Sequence, residues 1–512
     1  MTTSMTTDSI KQESVFAFLT DPATHAHVYR IDTHAASVFL EGDHALKIKR
    51  AVRFPYLDYS TLAKRKAACD EEMKINRKFA PQIYRRVVSI KQAADGSLSI
   101  DGDGVPIEYA IEMTRFDERQ TIDHLTESGE PDRDLVSAIA DAISASHAVA
   151  PLAPAEAWIK SIPAFVEDNT IAFRNAASFP ARDVDDLGEA SRSAFSRIRG
   201  LLRQRGRQGY VRRCHGDLHL ANIVLIEHEP VLFDAIEFDP AIASVDVLYD
   251  LAFPLMDFLR YGRHAAANGL LNRYLGTNSS GHLDALAALP LFMSLRAAIR
   301  AKVLLARLGQ TSRDKTAVMQ SAREYFELAR LLIHPLIPTL IAVGGLSGAG
   351  KSELARGLAP HIGPQPGAVI LRTDVLRKQQ FKVKETDRLP ESAYRPEITV
   401  MIYETIVQRV GRILSQGHSV VVDAVFAQPS ERTGISDVAR KLGARFAGLF
   451  LATDLATRQS RLGRRKADAS DATPEVAELQ ESYDIGPVDW IAIDASGTPE
   501  QTLRQCQLRI VG

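Results

Sequence analysis

The stretch GLSGAGKS at residues 345–352 constrains the fold of this 512-residue chain more than any other feature. It follows an apolar run, TLIAVG, and leads into a helix-forming run, SELARGL. A glycine-rich loop between a strand and a helix lets backbone N–H groups surround phosphate, and the positive end of the helix dipole adds to the attraction. In such a loop Lys351 reaches the outer phosphates and Ser352 binds Mg²⁺. The predicted ATP-binding loop consists of Gly345, Leu346, Ser347, Gly348, Ala349, Gly350, Lys351 and Ser352.

Apolar runs alternate with helical segments throughout residues 336–512. Five of these runs have the composition of buried strands: TLIAVGG, AVILRTD, HSVVVDAVF, RFAGLFLAT and DWIAIDA. This alternation predicts a parallel β-sheet covered by helices. Because Pro335 and Pro338 precede the first run, we place the start of an α/β P-loop domain at residue 336 and predict a different domain over residues 1–335.

Two aspartates follow strands of this predicted sheet. Asp423 ends the run HSVVVDA, where a strand end would point its carboxylate at the phosphate site as a second Mg²⁺ ligand, although an aspartate can also simply terminate a strand. Asp374 in LRTDVLRK could accept the proton of a substrate hydroxyl while Arg377 and Lys378 hold a polar or anionic substrate. The alternative for Asp374 is an N-cap at the start of a helix.

Arginines recur at helical spacing in the segment RQSRLGRRKADASDA. Arginines in this arrangement could close over ATP and neutralise charge in the transition state, or they could form a solvated basic face. The four residues are Arg458, Arg461, Arg464 and Arg465, and we place Arg461 and Arg465 at the ATP.

The second half of the chain resembles a family of small kinases. The glycine-rich loop, the RTD after the second strand and the arginine-rich segment are similar to the P-loop kinases of the gluconate-kinase and zeta-toxin type, over nearly all of residues 338–512. These relatives phosphorylate small hydroxylated molecules. The resemblance therefore implies an ATP-dependent kinase in which Asp374 is the base.

A second phosphotransferase pattern, HGDLHLAN, stands in the first half of the chain. Asp217 could accept the proton of a substrate hydroxyl, and Asn222 could bind Mg²⁺ from the same loop. Asp234 follows an apolar strand in VLFDAIEFD, and a short turn between two strands would bring it beside Asn222 to complete a metal site of two oxygen ligands. A zinc site at His215 and His219 is the alternative, but no third nitrogen or sulfur ligand accompanies them.

HGDLHLAN together with LFDAIEFD resembles the aminoglycoside phosphotransferase and choline kinase group, which shares the protein-kinase fold. The resemblance covers about residues 30–335. It implies that Asp217 is the catalytic base, that Asn222 and Asp234 bind Mg²⁺, and that His215 supports the loop without acting in catalysis. The implied fold is an α+β domain with two lobes.

The kinase fold requires a strand lysine that holds the ATP phosphates and a helix glutamate that pairs with it. In HALKIKR, Lys47 and Lys49 share one face of a strand, and we favour Lys47 while Lys49 stays open. Glu72 is the favoured partner because apolar residues three and seven positions later mark a packed helix face, although Glu71 also stays open.

The first domain departs from the protein-kinase pattern in two places. No G-x-G-x-x-G loop precedes the lysine strand, and the metal segment reads DAI where protein kinases have DFG. Both departures argue against protein kinase activity. The run SVFLEGDHALKIKR predicts a hairpin, and the aromatic residues of RFPYLDYST just after it favour packing over a substrate wall. We place the small lobe over about residues 1–115 and the large lobe over about residues 116–335.

The composition limits the partners of the protein. A net charge of −1 gives no reason to expect a nucleic-acid or membrane partner, and no segment has the pattern of a signal peptide or a membrane span. The three cysteines (Cys69, Cys214 and Cys506) lack metal-ligand spacing and fit a reducing compartment. We therefore expect a cytoplasmic protein that binds ATP and Mg²⁺, and the sequence does not predict its oligomeric state.

The whole chain resembles a bacterial two-domain family described as bifunctional phosphotransferase/ATP-binding proteins. We expect two ATP-dependent sites that phosphorylate hydroxyl groups of small metabolites. The basic run 294–308 has three arginines and a lysine but no acid, which favours an anionic acceptor over a polycationic antibiotic. An ATP-gated regulatory or stress-response protein with one silent domain, and an antibiotic-modifying aminoglycoside kinase, are the alternatives.

Overall fold

The structure is a computed structural model that describes residues 7–25, 27–33, 35–54, 57–277, 279–308, 315–334, 336–464 and 469–511. The chain forms two compact units, each made of two segments. Unit 1 comprises Met1–Ser161 and Arg203–Asp257, and unit 2 comprises Ile162–Leu202 and Phe258–Gly512. None of the described helices is both long and apolar enough to cross a membrane.

Unit 1 contains a six-stranded antiparallel sheet, which has the strand order β1-β2-β3-β8-β6-β7. Its first elements are α1 (Thr7–Leu19), β1 (Tyr29–Asp32), β2 (Ala36–Glu41), β3 (His44–Lys49), β4 (Arg53–Phe54), β5 (Leu57–Asp58), α2 (Leu62–Asn76), β6 (Tyr84–Gln92), β7 (Leu98–Ile100) and β8 (Val105–Thr114). The predicted hairpin is confirmed, since β2 pairs with β3 across a turn at Gly42 and Asp43.

Two hydrophobic clusters hold the small lobe of unit 1 together. Helix α1 covers one cluster with Val15 and Phe16, which pack with Phe39 and Ile48 of the sheet. The second cluster joins Cys69 of α2 to sheet residues and to the strands that follow residues 215–217, which we call the HGD motif. The sheet is therefore fixed to the loops that carry the predicted catalytic residues.

The rest of unit 1 is mainly helical, with short strand pairs around the HGD motif. Its elements are a 3₁₀ turn (Glu118–Gln120), α3 (Ile122–Ser128), α4 (Arg133–Val149), β9 (Val211–Arg213), a 3₁₀ turn (Leu220–Asn222), β10 (Ile223–Ile226), β11 (Glu229–Leu232), α7 (Pro240–Ala243) and β12 (Ser244–Asp246). Three helices contribute residues to both units: α5 (Ala155–Ala176), α6 (Ala181–Arg207) and α8 (Val247–Arg260).

Unit 2 combines a helical layer with a parallel sheet. Its elements are α9 (His264–Thr277), α10 (Ser279–His282), a 3₁₀ turn (Leu283–Ala288), α11 (Leu289–Leu308), α12 (Lys315–Ile333), β13 (Thr339–Gly344), α13 (Lys351–Leu358), a 3₁₀ turn (Ala359–His361), β14 (Val369–Arg372), α14 (Thr373–Gln380), a 3₁₀ turn (Glu391–Tyr394), α15 (Pro396–Ser415), β15 (Val420–Asp423), α16 (Pro429–Lys441), β16 (Arg445–Ala452), α17 (Leu455–Gly463), α18 (Pro474–Leu479), a 3₁₀ turn (Gln480–Ser482), β17 (Ile491–Asp494) and α19 (Pro499–Val511).

The five-stranded sheet of unit 2 has the order β14-β15-β13-β16-β17, and every neighbouring pair is parallel. The predicted parallel sheet is confirmed. Its core residues include Ile341, Val343, Val421 and Leu449, none of which is exposed to solvent. Strands buried on both faces read as continuous apolar runs, which is why the sequence identified them.

Helix α9 covers the edge of this sheet. The side-chain amide of Asn272 donates to Ala368 O at 3.1 Å and its Oδ1 accepts from Ile370 N at 2.7 Å, so it pairs with strand β14 as a neighbouring strand would. Asn268 adds bonds to Pro366 O and Ala368 O. These amides satisfy backbone groups that an edge strand otherwise leaves open. The sequence-based boundary at residue 335 stays a prediction.

Candidate active sites

The HGD loop of unit 1 is held by carboxylates on helix α8. Asp250 accepts hydrogen bonds from His215 N at 3.3 Å and from Gly216 N at 2.9 Å, and Asp257 accepts one from Leu220 N at 3.1 Å. Gly216 has φ 84, and a Cβ there would lie 3.0 Å from the Cβ of Ala243. The loop backbone is therefore fixed, and it requires glycine at this position.

Asp217 and Asn222 lie together on this loop, as the sequence predicted. The Asn222 amide donates to Asp217 O at 2.9 Å and lies 3.4 Å from Asp217 Oδ2. The Asp217 side chain is 42% exposed and lines a cavity, so it is accessible to a substrate. His219 Nε2 lies 3.5 Å from the same carboxylate.

His215 has the contacts of a structural residue. Its Nε2 lies 2.9 Å from Phe233 O, and its ring meets that of Phe79 edge-on. Burial lowers its pKa, although Asp250 acts in the opposite direction. Among the described residues, the cluster of three possible metal ligands contains neither His215 nor His219, and it offers no support for the zinc alternative.

Asp234 reaches the site from the turn after β11. The hairpin β10–β11 is confirmed, and Phe233 N donates to Asn222 O at 3.0 Å, which joins the two metal-ligand segments. Asp234 N–H donates to Tyr84 Oη at 3.2 Å. The side-chain amide of Asn76 in α2 donates to Ala235 O and accepts from Ala235 N, so it holds the residue after Asp234. Asn76 was not predicted, and its only signal was a polar residue on the buried face of α2.

Lys47 connects the sheet to this turn. Its Nζ lies 2.8 Å from Glu72 Oε1 and 2.5 Å from Asp234 Oδ1. Burial acts to lower its pKa, but the charges of Asp234 and Glu72 overcome burial and raise it well above its ordinary value. Burial likewise acts to raise the pKa of Asp234, and the Lys47 charge lowers it below the ordinary value instead. Both groups are therefore ionised at neutral pH.

Lys49 has a different set of partners from Lys47. Its Nζ contacts Glu72 and Glu237, and Tyr59 Oη donates to Glu237 at 3.0 Å. Both lysines thus pair with Glu72, but Lys47 is the one that contacts Asp234. Glu71 lies on the exposed side of α2 and pairs with Lys74. Glu237 and Tyr59 therefore connect the segment that contains Asp234 to the segment that follows β3. The sequence indicated a packing role for the aromatic residues after β3, but it did not identify Glu237.

Lys47, Lys49, Asp217, Asp234 and Glu237 line one cavity of about 310 Å³ in unit 1. Apolar side chains form another part of its wall, including Ala45, Ile83, Met113 and Phe233. A pocket with an apolar wall and a charged wall that contains two lysines and several carboxylates suits a nucleotide, which has a flat base and a polyphosphate.

The glycine-rich loop of unit 2 runs from β13 to α13, as predicted. Lys351 Nζ donates to Leu346 O at 3.1 Å, and Ser352 Oγ donates to Asp423 Oδ2 at 2.6 Å. Gly348 has φ 84, and a Cβ there would lie 2.7 Å from Arg458 O, so only glycine fits beside α17. The loop thus has the strand–loop–helix geometry that the phosphate-binding prediction requires.

Asp374 lies in the first turn of α14, directly after β14. The N-cap of this helix is Arg372, which excludes the N-cap alternative for Asp374. Burial and the charge of Asp423 raise the pKa of Asp374, while Arg372 and Lys351 act to lower it. The structure therefore brings Asp374 close to Asp423 and Lys351, and its role as a base stays a prediction.

Arg377 and Lys378 are almost fully buried and have internal partners. Arg377 donates to Ala393 O at 2.6 Å, and Lys378 Nζ lies 2.8 Å from Asp471 Oδ1. Asp471 also accepts from Tyr394 Oη at 2.7 Å. Both cations therefore anchor the segment around residues 387–394, which corrects the expectation that they hold the substrate.

The two arginines of α17 contact carbonyl groups of the glycine-rich loop, Arg458 at Ser347 O and Arg461 at Ala349 O. Arg458 is buried and pairs with Glu481, which excludes a solvated face at this position. Arg461 donates to Ala495 O at 2.8 Å and Gly497 O at 2.9 Å, and its contact with ATP stays a prediction. Arg464 is exposed, and Arg465 lies outside the described residues.

The donor atoms at both sites fit Mg²⁺. Unit 1 offers the carboxylate of Asp234 and the amide oxygen of Asn222, and unit 2 offers the hydroxyl of Ser352 and the carboxylate of Asp423. Mg²⁺ prefers oxygen ligands and takes one or two from protein beside those of phosphate.

Two family models match the chain. Residues 35–289 match the family described as phosphotransferase enzyme family, and residues 340–483 match the family described as AAA domain. The chain joins a phosphotransferase-family domain to a P-loop domain. The predicted combination of the two domains and the predicted fold class are confirmed.

Several proteins are similar to this two-domain chain. An uncharacterized protein of Mycobacterium tuberculosis (strain ATCC 25618 / H37Rv) is 27% identical over 486 residues, covering 93% of each chain. A choline/ethanolamine kinase family protein from Mesorhizobium loti has 15% identity and a TM-score of 0.37, and covers 63% of this chain and 99% of its own. A gluconokinase from Sinorhizobium meliloti has 20% identity and a TM-score of 0.25, and covers 34% of this chain and 93% of its own.

Proposed function

We propose that the protein is an ATP-dependent small-molecule kinase with one nucleotide site in the phosphotransferase domain and another in the P-loop domain. One observation carries the proposal: Lys47 contacts Glu72 and Asp234 in a cavity that Asp217 also lines. A lysine that grips phosphate, a carboxylate that holds metal and an accessible carboxylate that accepts a proton are the groups that phosphoryl transfer to a hydroxyl requires.

In the phosphotransferase domain, each residue has a separate task. Lys47 holds the phosphates of ATP, and Glu72 keeps the ammonium group in place. Asn222 and Asp234 hold Mg²⁺, which supplies neutralisation of phosphate charge when it is bound. Asp217 accepts a hydrogen bond from the acceptor hydroxyl and takes its proton as the oxygen attacks the γ-phosphorus, while the bond from that phosphorus to the β–γ bridging oxygen breaks and ADP leaves.

In the P-loop domain, backbone N–H groups of residues 345–352 and the ammonium of Lys351 bind the phosphates. Ser352 and Asp423 hold Mg²⁺ there. Asp374 accepts the acceptor's proton, and burial raises its pKa, which makes its carboxylate a stronger base. Phosphate binding at the start of α13 adds the favourable interaction with the helix dipole.

The acceptor is proposed to be a small hydroxylated metabolite. The basic run that favoured an anionic acceptor lies on α11, where Arg296 is buried and Arg300 lies over the ring of Tyr325. Burial lowers the pKa of Lys302, whose neighbour is Asp168. These cations pack within the helical layer of unit 2, so they do not strengthen the case for an anionic acceptor.

Two substitutions test the proposal, one in each domain. Purified protein is incubated with a metabolite extract and γ-labelled ATP, and the labelled products are identified by mass spectrometry. Asp217→Ala removes the proton acceptor of the first site and should reduce its transfer by about 100-fold or more, and Lys351→Ala should do the same at the second.

The matched controls are exposed residues of the same charge, Asp70→Ala and Lys441→Ala, which should not change transfer. If neither active-site variant changes the labelling of any product, the proposal is wrong. If one variant alone has an effect, the other domain does not transfer phosphate, and the protein has a single kinase site with a regulatory domain.

A further inference from the structure

Arg372 forms a closed triangle with the two residues that are expected to hold Mg²⁺ in the P-loop domain. Its Nε donates to Asp423 Oδ2 at 3.1 Å and its Nη2 to Ser352 Oγ at 3.1 Å. The third side is the 2.6 Å hydrogen bond from Ser352 Oγ to Asp423 Oδ2. The guanidinium group therefore contacts both oxygens through which these residues would bind a divalent cation.

The backbone sets this arrangement. Strands β14 and β15 are parallel neighbours, and their register places Arg372 beside Asp423. Strand β13 lies on the other side of β15, and its register places Val343 beside Asp423, just before the glycine-rich loop begins. The Arg372 side chain is 13% exposed and that of Asp423 is 6% exposed. A pair fixed at adjacent strand ends and screened from water is unlike a mobile surface ion pair, which contributes little.

The charges around the triangle explain why a cation belongs there. The charge of Asp423 disfavours ionisation of Asp374, and the charges of Arg372 and Lys351 act in the opposite direction. A guanidinium group stays charged at any physiological pH. Arg372 therefore supplies a permanent positive charge at the oxygens that Mg²⁺ needs.

We infer that Arg372 is a positioning residue that competes with Mg²⁺ for Asp423 and Ser352, and so sets the Mg²⁺ concentration at which the P-loop domain binds nucleotide. The inference rests on the proposed nucleotide site in that domain. The guanidinium keeps the two ligands aimed at one point and must give up its hydrogen bonds to them when Mg²⁺ and nucleotide bind. Its removal should make the site accept Mg²⁺ more readily.

The test measures binding in the full-length chain and does not depend on turnover. An Asp234→Asn background removes a metal ligand of the phosphotransferase domain, so that a fluorescent ATP analogue reports mainly on the P-loop domain. Mg²⁺ is titrated at a fixed concentration of this analogue. Arg372→Met should lower the Mg²⁺ midpoint by about three- to tenfold, because a full positive charge has been removed beside the metal ligands.

Two further variants and one control sharpen the result. Arg372→Gln is neutral but keeps hydrogen-bond donors, so it should lower the midpoint as well, and it provides the test if the methionine variant does not fold. Arg372→Lys keeps the charge and should stay near the wild-type midpoint. Arg356→Met removes an arginine that pairs with Glu353 on the exposed side of α13, and it should leave the midpoint unchanged.

Two failures are distinguishable. If the midpoint is unchanged or raised in Arg372→Met and Arg372→Gln, Arg372 does not compete with Mg²⁺ and the inference is wrong. If Lys351→Ala in the same background leaves analogue binding intact, the proposed nucleotide site itself is wrong. If Arg372→Met changes the affinity for the analogue equally in EDTA and in Mg²⁺, Arg372 acts on the nucleotide and does not compete with Mg²⁺, and the inference is wrong.

Discussion

His418 lies just before strand β15, where it is buried and its Nε2 lies 2.9 Å from Gly367 O. Burial lowers the pKa of this imidazole to about 4. A histidine in an unfolded chain titrates near pH 6.5, so between about pH 6.5 and 4 the unfolded state binds a proton that the folded state does not. The contribution of His418 to stability is therefore complete above about pH 6.5 and is lost as the pH falls.

This titration gives a measurable pH dependence. His418→Gln removes the titrating group, so the loss of unfolding free energy between pH 7 and pH 5 should shrink by about 2 kcal/mol. Denaturant unfolding at both pH values checks this, with His334→Gln as the control because His334 is exposed. An equal pH dependence in wild type and His418→Gln would show that His418 does not titrate as its burial requires.

Gly216 provides a test of the catalytic loop. Alanine at this position would have to adopt a positive φ and approach the Cβ of Ala243 to 3.0 Å, so Gly216→Ala should cost about 1–3 kcal/mol and displace Asp217. Transfer in the phosphotransferase domain should fall by about tenfold or more. The control is Gly200→Ala, a helical site with no neighbouring atom within 4 Å, where alanine should be neutral or stabilising. Normal activity in Gly216→Ala would contradict the rigid loop.

The ionic partners of Lys47 and Lys49 could not be predicted from the sequence. Residues two apart on a strand point to the same side, so the sequence predicted the face but not the partner. Glu72 contacts both lysines. The distinction comes from the turn after β11, which places Asp234 at Lys47 and Glu237 at Lys49. Such contacts between distant segments leave no local pattern in the sequence.

At the scale of elements, helix α9 completes the edge of the parallel sheet. Asn272→Ala would leave Ala368 O with fewer donors and Ile370 N without the carbonyl-like acceptor that pairs with it. Asn268 still donates to Ala368 O, and one unsatisfied buried backbone group costs about 1–3 kcal/mol, so unit 2 should lose about 1–3 kcal/mol of unfolding free energy. The amide of Ile370 should also exchange with solvent faster than in wild type.

Denaturant unfolding and hydrogen exchange measure these two effects. The control is Asn175→Ala, which removes an exposed amide from α5 and should change neither. Wild-type stability and exchange in Asn272→Ala would mean that α9 does not complete the sheet.

The strands of the parallel sheet could be predicted from the sequence, whereas the packing of α9 against the edge of the sheet could not. Strands that are buried on both faces form apolar runs, and a run can be found without knowledge of the fold. Asn272 reads as an ordinary polar residue of a helix, and the backbone group it pairs with lies 98 residues later. Similarly, Asp250 and Asp257 stand seven residues apart in an apolar helix, and this pattern of buried acids was the available signal for their contact with the HGD loop.

At the scale of the whole molecule, the two compact units do not follow the order of the sequence. The change from helical to alternating strand–helix pattern marks a boundary near residue 335, but the contacts group helices of residues 258–333 with the parallel sheet. Local patterns report the type of each element, whereas the grouping of elements depends on which apolar faces meet. The family models nonetheless match two separate stretches, 35–289 and 340–483.

Because each unit carries its own proposed nucleotide site, Mg²⁺ and ATP should stabilise the two units separately. A ligand that binds only the folded state stabilises it by about 2.7 kcal/mol at 100 times its Kd. Hydrogen exchange with Mg²⁺ and ATP should therefore show added protection in two regions, around residues 215–234 and around residues 345–352. Asp234→Asn should abolish the first protection and leave the second, and Asp423→Asn should have the reverse effect, since each removes a metal ligand from one site.

A non-hydrolysable analogue replaces ATP in this measurement, so that the bound state stays constant. The control is Asp70→Ala, an exposed substitution that should retain protection in both regions. Loss of both protections in either metal-ligand variant would contradict independent binding, because a carboxylate of one unit would then be required for nucleotide at the other. Protection in a single region of the wild-type protein would instead restrict nucleotide binding to that unit. If the two nucleotide sites bind independently, each metal-ligand variant should lose protection in its own region and keep protection in the other.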